Sequence, residues 1–274
     1  MTRALFLLSF LLASAGCTAN AEDFALQTRE STQPTPPIPP EPGAAKADAQ
    51  GRDGVRSVAV ANARFEFEYS WPAEAGAIPA LQRRLENEME EARNELDRAT
   101  RAERENAREA GYTFRPHSFS SKWEVLADTP RFLVLSSMLA TYSGGAHGNY
   151  SKRALLWDKR ADREIEPLEL FTSAEALREA TEDRYCAQLN SLRREKGVGV
   201  PGEGDPFPRC PPLDNLVLLP GSSDGEKLDR LTLYAAPYTA GSYAEGDYKV
   251  TLDVTRAMLD AVKPEYRTAF SLAD

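Results

Sequence analysis

The chain has 274 residues, of which 42% are hydrophobic and 27% charged, a composition typical of a soluble globular protein and not of a disordered or polytopic membrane protein. Its 33 basic and 42 acidic residues give a formal net charge of -9, which disfavours binding to nucleic acid phosphates. The only two histidines, His117 and His147, and three cysteines leave few ligands for a transition metal. The composition therefore indicates no nucleic-acid partner, no metal site and no cofactor.

Residues 1–17 have the three parts of a secretory signal peptide: a positive residue, an apolar run of about a dozen residues, and small residues after it. A helix over that run is about 18 Å long, too short for the ~30 Å hydrocarbon core of a bilayer. The segment Ser14–Cys17 resembles a bacterial lipobox, which predicts a lipoprotein-type signal peptide with lipidation at Cys17. The alternative is cleavage after Ala21, which would release a secreted, soluble periplasmic protein.

Residues 18–54 differ in character from the rest of the chain. They contain six prolines between Pro34 and Pro42 and few bulky apolar side chains, so they cannot build a core. Proline-rich sequence favours an extended backbone. We therefore predict a disordered tether that connects a membrane anchor to a folded region in the periplasm.

The folded region shows both strand and helix periodicity. Apolar side chains alternate from Val58 to Tyr69, which predicts half-buried strands. From Pro79 to Ala110 they recur every three or four residues, which predicts one long amphipathic helix ending at Gly111. Later patterns predict strands over 119–126, 132–142, 154–157, 165–171, 216–219, 231–235 and 248–254, and a short helix over 255–262.

A second, shorter helix is predicted to begin at Thr172, because Thr172 and Glu175 have the spacing of a capping box, and to end near Gly197. Cys186 lies on this helix and Cys210 in the loop after it. If Cys17 carries lipid, these two cysteines remain as a pair in an oxidising compartment. We therefore expect a disulfide between Cys186 and Cys210.

Two glycine-rich stretches match known motifs only by their letters. Residues 197–202 satisfy G-x-G-x-x-G but follow a helix, whereas a dinucleotide-binding loop must follow a strand and open a helix. Residues 221–225 satisfy G-x-S-x-G but lie between two predicted strands, not between a strand and a helix. Both stretches are predicted to be plain loops.

The stretch from Tyr142 to Tyr150 is the most unusual in the chain, because three glycines surround a histidine that has no apolar neighbours. As a catalytic loop it would use His147 as general base with Ser143 as nucleophile or Asn149 as oxyanion donor. The alternatives are a metal site, a structural turn in which His147 bonds to the main chain, and a ligand-contact loop. The candidate binding residues are Tyr142, Ser143, Gly144, Gly145, His147 and Asn149.

The SGGAHG sequence of this stretch, together with the segments 164–171 and 234–253, resembles a known family arrangement. The similarity is to the paired domains of unknown function of RsiV-like lysozyme-binding anti-sigma factors and of the accessory region of PdaC-like peptidoglycan deacetylases. The resemblance implies an α+β fold of two related strand and helix units with antiparallel sheets, packed by one long and one shorter helix. It also implies a PdaC-like unit over 55–150 and an RsiV-like unit over 151–274.

The resemblance implies a role in the bacterial cell envelope. Two histidines are too few for the metal-binding catalytic domain of a deacetylase, so we expect a non-catalytic module that binds a cell-wall component or a wall-attacking protein such as lysozyme. One alternative is an envelope hydrolase that uses His147. Another is a purely structural envelope protein. The expected partners are the membrane, through the N-terminal lipid, and either lysozyme or peptidoglycan fragments.

Overall fold

The computed structural model of the protein describes residues 49–50 and 56–273. The strands are β1 (Ala49–Gln50), β2 (Arg56–Ala61), β3 (Phe65–Trp71), β4 (His117–Asp128), β5 (Phe132–Tyr142), β6 (Asn149–Asp158), β7 (Arg163–Ile165), β8 (Val217–Gly221), β9 (Arg230–Ala235) and β10 (Tyr248–Asp253). The helices are α1 (Ala73–Gly76), α2 (Pro79–Ala110), α3 (Ala174–Glu195) and α4 (Arg256–Ala261). The predicted α+β class is confirmed. Among the described residues, no helix combines the length and apolar character needed to cross a membrane.

The predicted signal peptide, Cys17 and nearly all of the predicted tether lie outside the described residues. The described part of the tether is β1, in which Ala49 pairs with Ser57 and Gln50 with Arg56.

The first sheet has seven strands in the order β1-β2-β3-β4-β5-β6-β7. All neighbours are antiparallel except β3 and β4, which run parallel. A parallel pair needs a long connection, because the chain must return to the end of the sheet where the first strand began. Helices α1 and α2 provide this connection, which explains why the longest helix of the described residues lies between β3 and β4.

Helix α2 covers one face of this sheet, as its apolar periodicity predicted. Leu81, Leu85 and Met89 are buried in the same core as Phe67 and Trp71 of β3. The helix ends at Gly111, which has the left-handed backbone conformation (φ 76°) that favours glycine after a helix.

The second sheet has three antiparallel strands in the order β10-β9-β8. Helix α3 packs on it and buries Leu177, Tyr185 and Leu189 in a second core, together with Leu233 and Val250 from the strands. A disulfide between Cys186 and Cys210 fastens the following loop to α3, with the two Cα atoms 5.5 Å apart. The predicted pairing is confirmed.

The two cores meet at strands β5 and β6. Leu133 and Leu135 contribute to the core under α2, whereas their neighbours Phe132 and Val134 contribute to the second core. These strands are therefore buried on both faces, which explains their continuous apolar sequence. The boundary predicted after residue 150 lies within β6, a strand whose buried side chains belong to both cores.

Two local predictions were wrong. Residues 165–171 do not form one strand: β7 ends at Ile165, and a short 3-10 helix covers Pro167–Leu170. Proline has no N–H to continue a ladder, so the chain turns there. Helix α3 is capped by Ser173, whose hydroxyl accepts from the Ala176 N–H at 3.0 Å. Thr172 lies before the cap and donates its N–H to Ala261 O at 2.8 Å.

Both glycine motifs occupy loops, as predicted. Residues 197–202 follow the end of α3, and residues after Gly221 form the connection between β8 and β9. Neither has the strand-to-helix geometry that its motif requires.

A polar network ties α2 to the sheet beneath it. The Glu88 carboxylate of α2 accepts from Tyr69 Oη at 2.8 Å and from Arg153 Nη2 at 2.9 Å, and it also pairs with Arg84. Trp123 Nε1 donates to the same Tyr69 hydroxyl at 2.9 Å. Burial alone would raise the pKa of the Glu88 carboxyl, but the two guanidinium groups outweigh it and lower the pKa below its usual range.

We predict that Glu88→Gln lowers the free energy of unfolding by about 1 to 3 kcal/mol at pH 7, because it leaves buried donors without a charged acceptor. A carboxyl whose pKa is lower in the folded state stabilises the fold above its unfolded pKa, and this contribution disappears as the pH falls through the folded pKa. The difference between wild type and variant should therefore shrink from pH 5 downwards in urea unfolding experiments. Glu95→Gln, on the exposed face of α2, is the control; a difference that does not depend on pH would contradict the assignment.

The disulfide closes a loop with a sequence separation of 24 residues. From the chain entropy of such a loop, we predict that the double variant Cys186→Ser/Cys210→Ser unfolds with a free energy about 3 to 4 kcal/mol lower than wild type. Reductant should destabilise wild type by a similar amount and leave the double variant unchanged. A loss below about 1 kcal/mol would show that the crosslink adds little to stability.

Candidate functional site

The glycine-rich sequence after Tyr142 forms the turn that joins β5 to β6. Gly144 has a positive φ of 86°, and a Cβ atom on Gly148 would lie 2.9 Å from the carbonyl oxygen of Thr141. Each position therefore requires glycine, one for backbone conformation and one for close approach. The turn brings the side chain between these two glycines, His147, to the surface.

The His147 imidazole is held by three contacts. Its ring stacks on Tyr243 with 3.9 Å between centroids and 23° between planes. Its Nδ1 lies 2.8 Å from Gly148 O, and its Nε2 lies 3.4 Å from Tyr238 Oη. Because a carbonyl only accepts, Nδ1 carries a proton and donates it; in the neutral ring, Nε2 then accepts from the tyrosine hydroxyl. The predicted bond from His147 to the main chain is present.

Four rings from two distant segments form one aromatic cluster: His147 and Tyr150 from the turn and β6, and Tyr238 and Tyr243 from the loop between β9 and β10. The Tyr243 ring packs edge to face against the Tyr150 ring, with 6.1 Å between ring centroids. It is tilted by 33° against the Tyr238 ring, with 5.7 Å between centroids. Tyr243 also donates its hydroxyl to Gly148 O at 2.8 Å. Two of the sequence segments on which the resemblance rested therefore meet here.

Tyr238 and His147 are the two exposed members of the cluster. The Tyr238 side chain is 53% exposed, and its backbone has a φ of 70°, which is uncommon for a residue with a Cβ atom. Its N–H donates to Gly241 O at 3.0 Å, which closes the loop around it. The loop thus holds a large aromatic ring towards solvent in a conformation that is unfavourable for tyrosine.

A fully buried arginine of α3 fixes one end of this loop. Arg193 donates from Nη2 to Ala240 O at 2.5 Å and from its two terminal nitrogens to Pro208 O and Arg209 O at 3.1 and 2.6 Å. Arg209 precedes the disulfide cysteine Cys210. One guanidinium therefore links the disulfide-bonded loop to the loop that carries Tyr238.

The other end of the loop is fixed by Lys196 and Glu245. Lys196 donates to Glu245 O at 2.7 Å and Asp247 O at 2.6 Å, while the Glu245 carboxylate accepts from Ser242 N at 2.8 Å and from Tyr248 Oη at 2.7 Å. Burial by itself would raise the pKa of Glu245, but the hydrogen bonds from Tyr248 and Ser242 lower it. Between these two anchors, Tyr243 is placed over His147.

The remaining predicted site residues surround the turn. Tyr142 Oη donates to Gly145 O at 3.0 Å, and Arg115 reaches the same carbonyl at 3.3 Å. Ser143 and Asn149 are exposed beside the cluster. Reasoning from the turn alone missed Arg115, Tyr238 and Tyr243. The only signal for the two tyrosines was the resemblance of the segment 234–253, which does not reveal the contact.

The geometry does not assemble a catalytic triad around His147. Within the described residues no carboxylate hydrogen-bonds to the imidazole, and Ser143 does not bond to it. The second histidine, His117, is buried at the start of β4. In the same part of the chain, no group of three or more His, Cys, Asp or Glu side chains is arranged to hold a metal ion. What the cluster presents at the surface is aromatic rings and hydroxyl groups.

The part of the chain that carries the turn is similar to a known protein family. Residues 59–150 match the family model described as Deacetylase PdaC. The predicted resemblance is confirmed over this PdaC-like segment, which runs from the second half of β2 to the first two residues of β6. It includes His147 and Tyr150 of the aromatic cluster, whereas Tyr238 and Tyr243 lie beyond it. A comparison with curated protein sequences gave no match.

Two solved structures of DUF3298 family proteins are similar to the chain. One, from Bacteroides fragilis, has 17% sequence identity and a TM-score of 0.43, with 78% of this chain and 96% of that chain covered. The other, from Pseudomonas aeruginosa, has 13% identity and a TM-score of 0.39, with 77% and 94% covered.

We predict that Gly148→Ala destabilises the protein by about 1 to 3 kcal/mol, because the added methyl group collides with the Thr141 carbonyl and forces the turn to shift. Gly145→Ala is the matched control, since its Cβ position has no atom within 4 Å. The Gly148 variant should also change the NMR signals of the Tyr243 ring. Equal stability of the two variants would contradict this account of the turn.

Proposed function

We propose that this chain is a non-catalytic binding module of the bacterial cell envelope, and that the aromatic cluster holds a glycan of the cell wall. The observation that carries the proposal is the exposed ring of Tyr238 beside the His147–Tyr243 stack. Sugar rings have an apolar C–H face, which packs well on an aromatic face that is already fixed. Ser143 and Asn149, which are exposed at the two ends of the same turn, would supply donors and acceptors for sugar hydroxyls.

The envelope location is part of the proposal. It rests on the signal-like sequence of residues 1–17, on the Cys186–Cys210 disulfide and on the match of the PdaC-like segment. Lipid attachment at Cys17 would hold the module close to a membrane, and the proline-rich residues 18–54 would let it reach towards the wall.

A protein that attacks the wall is the second candidate ligand. The net charge of -9 favours association with a strongly cationic partner such as lysozyme, because opposite charges steer encounter. This attraction would be spread over the surface and would weaken steeply with salt. Binding of a glycan to the aromatic cluster would depend far less on ionic strength.

We predict that Tyr238→Ala weakens binding of purified muropeptides to the full-length protein at least tenfold, which corresponds to about 1.4 kcal/mol, in isothermal titration calorimetry. Leu272→Ala is the control, because Leu272 is also a large exposed apolar side chain, at 43%, and lies outside the cluster. Binding to lysozyme, measured in parallel, should not depend on Tyr238.

Two results would overturn the glycan site: no binding of muropeptides to wild type at any ionic strength, or equal weakening of binding by Tyr238→Ala and Leu272→Ala. A third would overturn the non-catalytic role. Cleavage of the fragments by wild type, abolished in His147→Ala, would instead establish the hydrolase alternative.

A further inference from the structure

A second candidate site lies near the end of the first sheet that carries the glycine-rich turn, on the face covered by α2. The last turns of α2, the turn between β2 and β3, and the segment after Gly111 enclose an open groove of about 620 Å³. Four arginines line it, and we call it the arginine groove: Arg64, Arg101, Arg104 and Arg108. The aromatic side chains of Tyr112 and Phe114 form its opposite wall.

The arginines converge from two separate elements. Arg101, Arg104 and Arg108 recur at steps of three and four and therefore share one face of α2. Arg64 comes from the turn before β3, and a single carboxylate, Asp97, pairs with both Arg64 and Arg101. This shared partner holds two guanidinium groups side by side and leaves several of their N–H donors for another acceptor.

Positive charge exceeds negative charge in the groove. Asp97 pairs with two of the arginines, and Glu105 pairs with Arg108. Arg104 is exposed and has no ion-pair partner among the described residues. Among the residues that line the groove, four are arginines and one, Glu105, carries a carboxylate, in a chain whose net charge is -9. Asp97 and Glu103 lie at its edge, Glu103 as the acceptor of the Tyr112 hydroxyl at 2.8 Å. An ordinary solvated helix face of alternating charges would show no such local excess.

We propose that the arginine groove binds a discrete phosphate group of a soluble ligand. Guanidinium groups bind phosphate oxygens through two parallel N–H donors, and several of them can surround one doubly charged group. An anionic membrane fits the charges less well, because its surface would repel the acidic chain as a whole. A small ligand in the groove instead meets the guanidinium groups at contact distance, where their attraction is strongest. The exposed aromatic wall would pack against the organic part of the ligand.

The site is separate from the aromatic cluster, although the two are neighbours. A smaller depression, lined by Tyr112, Arg115 and Gly144 among others, lies between the groove and the glycine-rich turn. Arg115 bonds to the turn and does not line the groove. Substitutions in the groove should therefore leave binding to the cluster unchanged.

The test is calorimetric titration of the full-length protein with inorganic pyrophosphate at low and physiological salt. We expect binding that weakens at least tenfold in Arg104→Gln/Arg108→Gln. The matched control is Arg83→Gln, an exposed arginine on the same helix and about 30 Å from Arg104. Arg104→Lys should keep the charge but lose part of the affinity, because an ammonium group lacks the planar fork.

Separate arms identify the ligand chemistry. Citrate, which carries carboxylates instead of phosphate, should bind more weakly than pyrophosphate, and vesicles containing phosphatidylglycerol should not compete with it. The proposal is overturned by absence of pyrophosphate binding, by equal loss in Arg83→Gln, by equal affinity for citrate, or by vesicle binding that the double variant abolishes. Circular dichroism of the variants checks that the exposed substitutions leave the fold intact.

Discussion

The structure depends on strands β5 and β6 being buried on both faces at one end. Phe132 to Leu135 alternate between the core under α2 and the core of the second sheet, as do Leu155 to Trp157 opposite them. Because both cores contain side chains of these two strands, the two cores share part of their apolar packing. At the other end of the same strands the second sheet no longer covers them, and the glycine-rich turn emerges there at the surface.

Much of this fold follows from local sequence patterns. The helix from Pro79 to Ala110, its stop at Gly111 and the strand from Phe132 to Tyr142 were predicted within a residue or two, because side-chain periodicity and caps act over short distances. Errors arose where tertiary contacts decide the local conformation. Thr172 has the chemistry of a cap, but its N–H bonds to Ala261 O, and the next residue, Ser173, caps the helix instead.

The candidate site could be predicted only in part. The glycines around His147 predicted the turn, because several glycines close together are unfavourable in a regular strand. Its partner Tyr238 lies 91 residues further along the chain, and no periodicity connects residues at that separation. The buried guanidinium of Arg193, which holds the Tyr238 loop, was equally invisible, since an arginine on an amphipathic helix ordinarily indicates a solvated face. Long-range contacts of this kind require the folded chain.

The direction of β2 has a mechanical consequence. Strand β2 runs from Arg56 to Ala61. The pairing of β2, β3, β4 and β5 places Tyr142 of β5 at the same end of the sheet as Ala61, and therefore at the opposite end from Arg56. A pull transmitted through the preceding residues would therefore load the sheet at the end remote from the glycine-rich turn.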